Sequence, residues 1–207
     1  DYAVKAGLRY QETKRLFDRD MNSIGNPATT MADASTTWTH VLPTISFSYY
    51  ANDDVHTYFR YAKGYRPGGY NYRVADLTPF EPEITDSFEL GHKQNFSSSL
   101  SINSTFFYNT IQNQRTVTFD DNFGTTVHTA EKAYSYGAEL DLSYQTETLL
   151  MYATLGATKA KFKDFDAASN AYEGNHLVDV PDMTAAIGAT YHFNDNWFIQ
   201  PSLRYMG

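Results

Sequence analysis

Apolar and polar side chains alternate along most of the chain, starting with its first residues. In residues 2–10 the even positions hold Tyr, Val, Ala, Leu and Tyr, while Lys5, Gly7 and Arg9 are among the odd ones. A period of two is typical of a β-strand with one apolar and one polar face. The pattern predicts about nine strands, at residues 2–10, 38–50, 55–61, 84–95, 100–119, 125–145, 149–162, 183–193 and 197–206.

The connections between these strands alternate in length. Short turns are predicted near residues 51–54, 96–98, 146–148 and 194–196, and long or extended loops near 11–37, 64–83, 120–124 and 163–182. In an antiparallel meander every second connection lies at the same end, so one end carries the turns and the other the loops. Transmembrane β-barrels have this asymmetry. The expected fold is therefore all-β, an antiparallel up-and-down transmembrane barrel, whose hairpin at residues 100–145 extends beyond the bilayer.

The segment at residues 58–71, YFRYAKGYRPGGYN, combines four tyrosines with three cations and no acidic residue. Its first half is predicted as a strand. Pro67, Gly68 and Gly69 then predict a sharp turn, because proline fixes φ and glycine tolerates the positive φ that a reversal needs. Such a strand would carry its aromatic rings at an apolar boundary and its cations in water.

Composition supports a membrane barrel over a soluble sheet. Aromatic residues make up 16% of the 207 residues, with 17 Tyr and 14 Phe, and many lie near predicted strand ends, as interfacial girdles require. A soluble β-sandwich or a cell-surface β-solenoid is the alternative, since amphipathic strands suit those folds equally well. There is no cysteine, and the net charge of −8 without a basic run argues against a nucleic-acid partner.

Candidate chemistry is sparse, and no catalytic or metal site is predicted. The six histidines, at positions 40, 56, 92, 128, 176 and 192, lack metal-ligand spacing. The acidic group Asp164, Asp166, Asn170 and Glu173 departs from the calcium-binding EF-hand pattern. No nucleophile elbow is present. Glu139 and Asp141 share one strand face and are interpreted as polar lining of a wet lumen, so a barrel enzyme is a weak alternative.

Several of these segments resemble one protein family. The stretch YFRYAKGYRPGGYN, followed by FEPE at residues 80–83 and SFELGHK at residues 87–93, is similar to the barrel of TonB-dependent outer-membrane receptors, the iron-complex or siderophore branch in particular. The upstream WTHVLPTISFSYY and the later SYGAELDLSY and VPDMTAAIGATYHF follow in the order expected of that family. The resemblance covers residue 38 to the end.

The resemblance implies a barrel of roughly 22 strands, of which residues 1–207 would be an internal portion. The family's plug domain and TonB-contacting segment are not recognisable here. The implied function is energy-coupled uptake of a ferric siderophore or similar iron complex across a Gram-negative outer membrane, through the TonB-ExbB-ExbD system, with no bond made or broken and no resident cofactor. Cobalamin, haem and glycans use the same architecture. A passive porin or an adhesion barrel is the alternative.

Ligand contacts are expected from inward side chains near the outer mouth and from the large loops. The candidates are Tyr65, Arg66, Tyr70, Tyr72 and Arg73 around the turn, together with Arg115 and Tyr136 on the tall hairpin. Iron chelates are often anionic and aromatic, which suits guanidinium pairing and ring stacking. The alternative is that the tyrosines are girdle residues and the arginines solvate a loop.

Overall fold

Antiparallel strands make up nearly all of the computed structural model. It describes the backbone of residues 1–23, 26–70, 78–119, 125–165 and 173–207, and the side chains of residues 1–18, 33–70, 78–115, 130–163 and 173–207. The strands are β1 Tyr2–Ser23, β2 Asn26–Asn52, β3 Val55–Arg66, β4 Glu83–Asn95, β5 Leu100–Phe119, β6 Thr125–Gln145, β7 Leu149–Phe165, β8 Met183–Asn194, β9 Trp197–Ile199 and β10 Ser202–Met206. Within these ranges no helix is long and apolar enough to cross a membrane.

The ten strands form one sheet in which neighbours in sequence are neighbours in space. Its order is β1 to β8 followed by β10, with β9 also paired to β8, and all pairings are antiparallel. Short turns follow β2, β4, β6 and β8, while at the opposite end the connections at residues 67–82 and 166–182 are long and those at residues 24–25 and 120–124 are short. The predicted meander is confirmed, the predicted asymmetry of connection length holds for two of the four connections at that end, and the described strands supply no second sheet for a sandwich.

The number of strands differs slightly from the prediction. The last predicted strand is divided into β9 and β10 at residues 200–201. Tyr191 pairs with Ile199 and Gly188 with Ser202, so the two pieces keep one continuous register. Pro201 has no N–H to donate, although its carbonyl still accepts a bond from Ala189 N at 3.1 Å. The proline therefore interrupts the strand without shifting it.

The prediction of a loop at residues 11–37 is wrong. β1 and β2 run through that segment as a tall hairpin of 22 and 27 residues, with Thr13 opposite Trp38 and Leu16 opposite Ser35. At about 3.3 Å per residue, these strands are longer than a bilayer requires. The upper part of this segment is rich in Thr, Ser and Asp and has no sustained apolar alternation to mark it as a strand.

The apolar face of the sheet points away from the lumen. One level across the sheet joins Phe47, Phe59, Leu90 and Phe106 on the outer face, and all four are exposed. Their immediate neighbours on the inner face are Ser, Thr, Gly and charged residues, together with the rings of Tyr58 and Phe107. Among the described residues only Trp38, Leu42, Ala130, Ala133, Ala160 and Phe162 are buried hydrophobics. This distribution is that of a barrel wall that meets lipid outside and water inside.

Ion pairs mark the upper limit of the apolar band, on the side of the long connections. Lys63 Nζ lies 3.2 Å from Asp86 Oδ1, and Tyr61 donates to the same Asp86 oxygen at 2.6 Å. Farther around the sheet, Lys159 Nζ lies 2.5 Å from Asp182 Oδ2. We call this level the outer rim. Residues of β5 and β6 beyond Tyr108 and Tyr136 extend above it.

Candidate ligand-binding site in the lumen wall

The turn that follows β3 folds back over the inner face of β2. Gly69 N donates to Phe80 O at 3.2 Å, and Phe80 N donates to Gly69 O at 2.8 Å. A Cβ at Gly68 would contact the Phe80 carbonyl and the buried Trp38 ring. Among the described glycines only Gly174 has a positive φ. The prediction that Gly68 and Gly69 supply positive φ is therefore wrong, and Gly68 is required by close packing instead.

Tyr70 connects this turn to the tall β1–β2 hairpin. Its hydroxyl lies 2.6 Å from Thr36 Oγ1, and its ring centroid lies 5.3 Å from that of Phe17. Phe17 and Thr36 both belong to the segment predicted as a loop. The strand pairing of that segment thus provides the wall against which the turn packs.

Arg115 on β5 holds the same turn from the other side. Its guanidinium donates to Pro67 O at 2.5 Å and to Arg66 O at 3.4 Å, and it lies over the Phe80 ring at 4.9 Å. Arg115 N donates to Glu83 Oε2 at 3.4 Å. A planar guanidinium with several donors can make these contacts simultaneously, which a lysine ammonium cannot do.

Asn113 fixes the end of the connection that leads into β4. It has φ 56°, in the left-handed region where asparagine is tolerated. Its side-chain Nδ2 donates to Pro82 O at 2.9 Å. The described ends of the β3–β4 connection are therefore both bound to β5.

Three guanidinium groups give this part of the lumen wall a positive charge. Arg66 is 61% exposed and contacts Glu83 at 3.7 Å. Desolvation and the positive charge of Arg66 lower the pKa of Arg115, Glu83 opposes that shift, and Arg15 adds to it. Among the described side chains, the Glu83 carboxylate thus lies beside Arg66 and Arg115 with Arg15 near enough to act on Arg115, and the excess charge is available to an anion.

Tyr65 supplies an aromatic surface beside this cationic group. Its ring centroid lies 4.5 Å from that of His40. The Tyr65 hydroxyl and Arg115 Nε are buried and have no hydrogen-bond partner within the described part of the chain. Unpaired buried donors are costly, so these two atoms are candidates to bond a ligand.

The structure brings together four of the seven predicted site residues: Tyr65, Arg66, Tyr70 and Arg115. Tyr72 and Arg73 lie outside the described residues. Tyr136 does not point into the lumen as predicted. It pairs with Tyr108, which is two residues from Phe106 on β5 and therefore on the same outer face, and its side chain is exposed there. The structure adds Arg15, Trp38, Phe80 and Glu83, of which the last three lie in segments that carried the family resemblance.

Metal binding finds no support within the described side chains, where no three His, Cys, Asp or Glu residues cluster. Three members of the acidic group considered for calcium have side chains outside the described part of the chain: Asp164, Asp166 and Asn170. The described cluster carries groups suited to recognition. Guanidinium groups pair with oxyanions and stack on rings, and the aromatic side chains offer flat surfaces. The site therefore suits an anionic ligand with planar groups.

Comparison with known proteins gives a consistent result. The family model described as "TonB dependent receptor-like, beta-barrel" matches residues 1–207. The chain is 26% identical to the pesticin receptor of Yersinia enterocolitica over 184 residues, which are 87% of this chain and 26% of that receptor. The chain therefore spans about a quarter of the length of that curated relative.

Solved structures match over the same extent. The ferric yersiniabactin uptake receptor of Yersinia pestis aligns with a TM-score of 0.79 at 22% identity, covering 98% of this chain and 31% of the receptor. The ferric-catecholate import receptor of E. coli K12, in its closed form, aligns with a TM-score of 0.77 at 18% identity, covering 100% of this chain and 32% of the receptor. At these identities the likeness is one of fold.

Proposed function

Since the chain belongs to the TonB-dependent receptor β-barrel family, we propose that it forms part of the wall of an outer-membrane receptor that takes up a ferric siderophore or a similar iron complex. The observation that carries this proposal is the group of Arg15, Arg66 and Arg115 beside aromatic rings on the inner face. The function is binding and transport, in which the protein makes and breaks no covalent bond.

Within this proposal, ligand is held by groups that remain free on the lumen side. Arg66 has its guanidinium largely in water, whereas Arg115 is bound to the turn and positions it. Arg66, Arg15 and the Tyr65 ring are accordingly the direct contacts, and Arg115 acts mainly by holding Pro67 and Phe80 in place. The names of the two matched structures, a ferric yersiniabactin uptake receptor and a ferric-catecholate import receptor, support a ferric complex as the ligand class.

Energy coupling belongs to the parts of the receptor that these residues do not include. A plug domain and an N-terminal segment would contact TonB, which ExbB and ExbD energise, and the barrel would be embedded in outer-membrane lipid. Uptake of a radiolabelled ferric chelate by cells that carry the complete gene product tests this coupling. We expect uptake to be lost in cells that lack TonB, while binding to the same cells is retained.

The ligand site is tested by two neighbouring substitutions in the complete gene product. Arg15→Gln removes a charge from the inner face of β1, and Lys14→Gln removes the same charge from its outer face. Loss of one charge-assisted contact of about 1.5–3 kcal/mol weakens binding by roughly 10- to 150-fold. We expect Arg15→Gln and Arg66→Gln to weaken binding of an anionic tris-catecholate iron chelate to that extent.

Lys14→Gln serves as the matched control and should leave the Kd within about twofold, because a screened charge on the other face contributes little. Equilibrium binding with radiolabelled iron measures all three variants. Equal losses in Arg15→Gln and Lys14→Gln would contradict a lumen site, and unchanged binding in both arginine variants would remove these residues from it.

A further inference from the structure

The outer face carries a groove at the upper edge of its apolar band. At one level Phe106 pairs with Ala138, Ala138 with Ala157, and Ala157 with Met183. Two methyl groups thus lie between two large side chains. Neighbouring strands are about 4.8 Å apart, so the gap is wide enough for a hydrocarbon chain. The groove has a volume of about 530 Å³ and reaches Tyr136 at the outer rim.

Charged side chains close the upper end of the groove. Lys159 and Asp182 line it, and His176 Nδ1 lies 3.5 Å from Asp182 Oδ1. Lys161 is two residues farther along β7, opposite Tyr134, and its charge also acts on Asp182. Among the described side chains, Lys159 and Lys161 both act on the single carboxylate of Asp182, which leaves an excess of positive charge at the outer rim.

From this arrangement we propose that the groove binds a membrane lipid with a phosphorylated, anionic headgroup. One acyl chain lies along Ala138 and Ala157, and the phosphate contacts Lys159 and Lys161. The Lys159–Asp182 pair does not prevent this, because its partners are 48% and 43% exposed and exposed ion pairs are weak. The inference rests on the proposed outer-membrane location but not on the identity of the transported ligand.

The aromatic side chains beside the lysines are also suited to binding a lipid. The Tyr134 and Tyr136 rings are stacked, with centroids 6.2 Å apart. Tyrosine is favoured at the membrane interface, where its ring meets acyl chains and its hydroxyl meets headgroups. Tyr136 thus gains a role on the outer face in place of the predicted role in the lumen.

The Lys63–Asp86 pair provides an internal comparison at the same outer rim. Below it, Phe59 pairs with Leu90 and Leu90 with Phe106, so large side chains fill the surface where the groove has two alanines. Tyr61 also donates to Asp86, and its ring lies 5.2 Å from that of Phe88. Lys63 therefore has the charge of Lys159 and the register level of Lys161 without a groove beneath it.

The test is native mass spectrometry of the complete gene product in detergent, titrated with phosphatidylglycerol. We expect one lipid to be retained, and Lys159→Ala/Lys161→Ala to weaken retention by roughly 25-fold, from about fivefold for each lysine. Ala157→Phe, which fills the groove and keeps both lysines, should also weaken retention. Lys63→Ala should match the unmodified protein, and phosphatidylethanolamine, which has no net charge, should bind less well.

Four results would overturn the inference. Lys63→Ala could weaken retention as much as the double variant, which would indicate a general charge effect. Ala157→Phe could leave retention unchanged, which would indicate that no acyl chain lies in the groove. Inorganic phosphate alone could displace the lipid, which would indicate a site for an anion only. A second protein copy could occupy the face, seen as a dimer mass. Binding of the iron chelate is measured on the same samples. Because the groove and the arginines lie on opposite faces, a loss of lipid retention with normal chelate binding contradicts only the lipid site and leaves the proposed function intact.

Discussion

Glycines on the inner face make room for aromatic rings that lie flat against the wall. A Cβ at Gly91 would contact the Tyr58 ring, one at Gly137 the Phe107 ring, and one at Gly188 the Tyr152 ring. In each case the ring comes from the neighbouring strand and covers the glycine. Rings held in this way leave the lumen open, whereas rings standing perpendicular to the wall would fill it.

This arrangement predicts different effects for two glycines of the inner face. Gly91→Ala displaces the Tyr58 ring and breaks its 2.5 Å bond to Glu89, so we expect a loss of about 1–3 kcal/mol in the free energy of unfolding, as in other overpacked sites. Gly64→Ala meets Thr85 Cβ at an ordinary 3.5 Å and should stay within about 0.5 kcal/mol. Urea unfolding of the complete gene product in lipid measures both, and equal effects would contradict the steric explanation.

Residue chemistry allowed part of the site to be predicted from the sequence. Arg66 and Tyr70 are recognisable as a cation and a ring near a turn, and Arg115 as a cation on the tall hairpin. Phe80 is not, because its contact with Arg115 depends on how the connection folds back onto β5. Tyr136 lies on the outer face and not in the lumen, because it has the same parity along β6 as Leu140 and Tyr144, which are exposed on that face.

At the scale of the strands, alternation located those parts that cross the apolar band and missed those that extend above it. β3 to β8 have one apolar face, so their residues alternate. The upper halves of β1 and β2 are rich in Thr, Ser and Asp, which resembles a loop by composition. Threonine nevertheless favours strands. The lower parts of β1 and β2 are already paired, so cross-strand hydrogen bonds can extend this pairing upward into water.

Disulfide formation can distinguish this hairpin from a loop. The 207 residues contain no cysteine, and Leu16 lies directly opposite Ser35. Facing Cα atoms are about 4.5–5.5 Å apart, within the range for a disulfide, whereas diagonal positions are about 7–8 Å apart and outside it. We expect Leu16→Cys/Ser35→Cys to oxidise readily and Leu16→Cys/Thr37→Cys to remain reduced, as measured by gel mobility. Equal oxidation of both pairs would indicate an unpaired loop.

For the whole molecule, the sheet reverses the usual placement of apolar side chains. Large hydrophobics cover its outer face, while polar and small residues, together with aromatic rings that lie flat, line the inner face and the candidate site. β1 and β10 are both unpaired on one side, so the wall is open along two edges that would attract other strands. A closed barrel removes such edges, which is consistent with a chain that spans only about a third of the matched receptor structures.

Two adjacent residues of β7 test this placement across the membrane. Leu155 is 54% exposed on the outer face, two residues below Ala157 and near the middle of the apolar band, whereas Thr154 faces the lumen opposite Asp141. A lysine at the bilayer midplane costs about 2–4 kcal/mol in barrel proteins, while lumen positions tolerate charge. We therefore expect Leu155→Lys to lower the free energy of unfolding in lipid vesicles by that amount and Thr154→Lys to change it little. The reverse order would mean that the lipid and lumen faces are exchanged, and the arginine cluster would then face the membrane, where it could not bind a ligand from water.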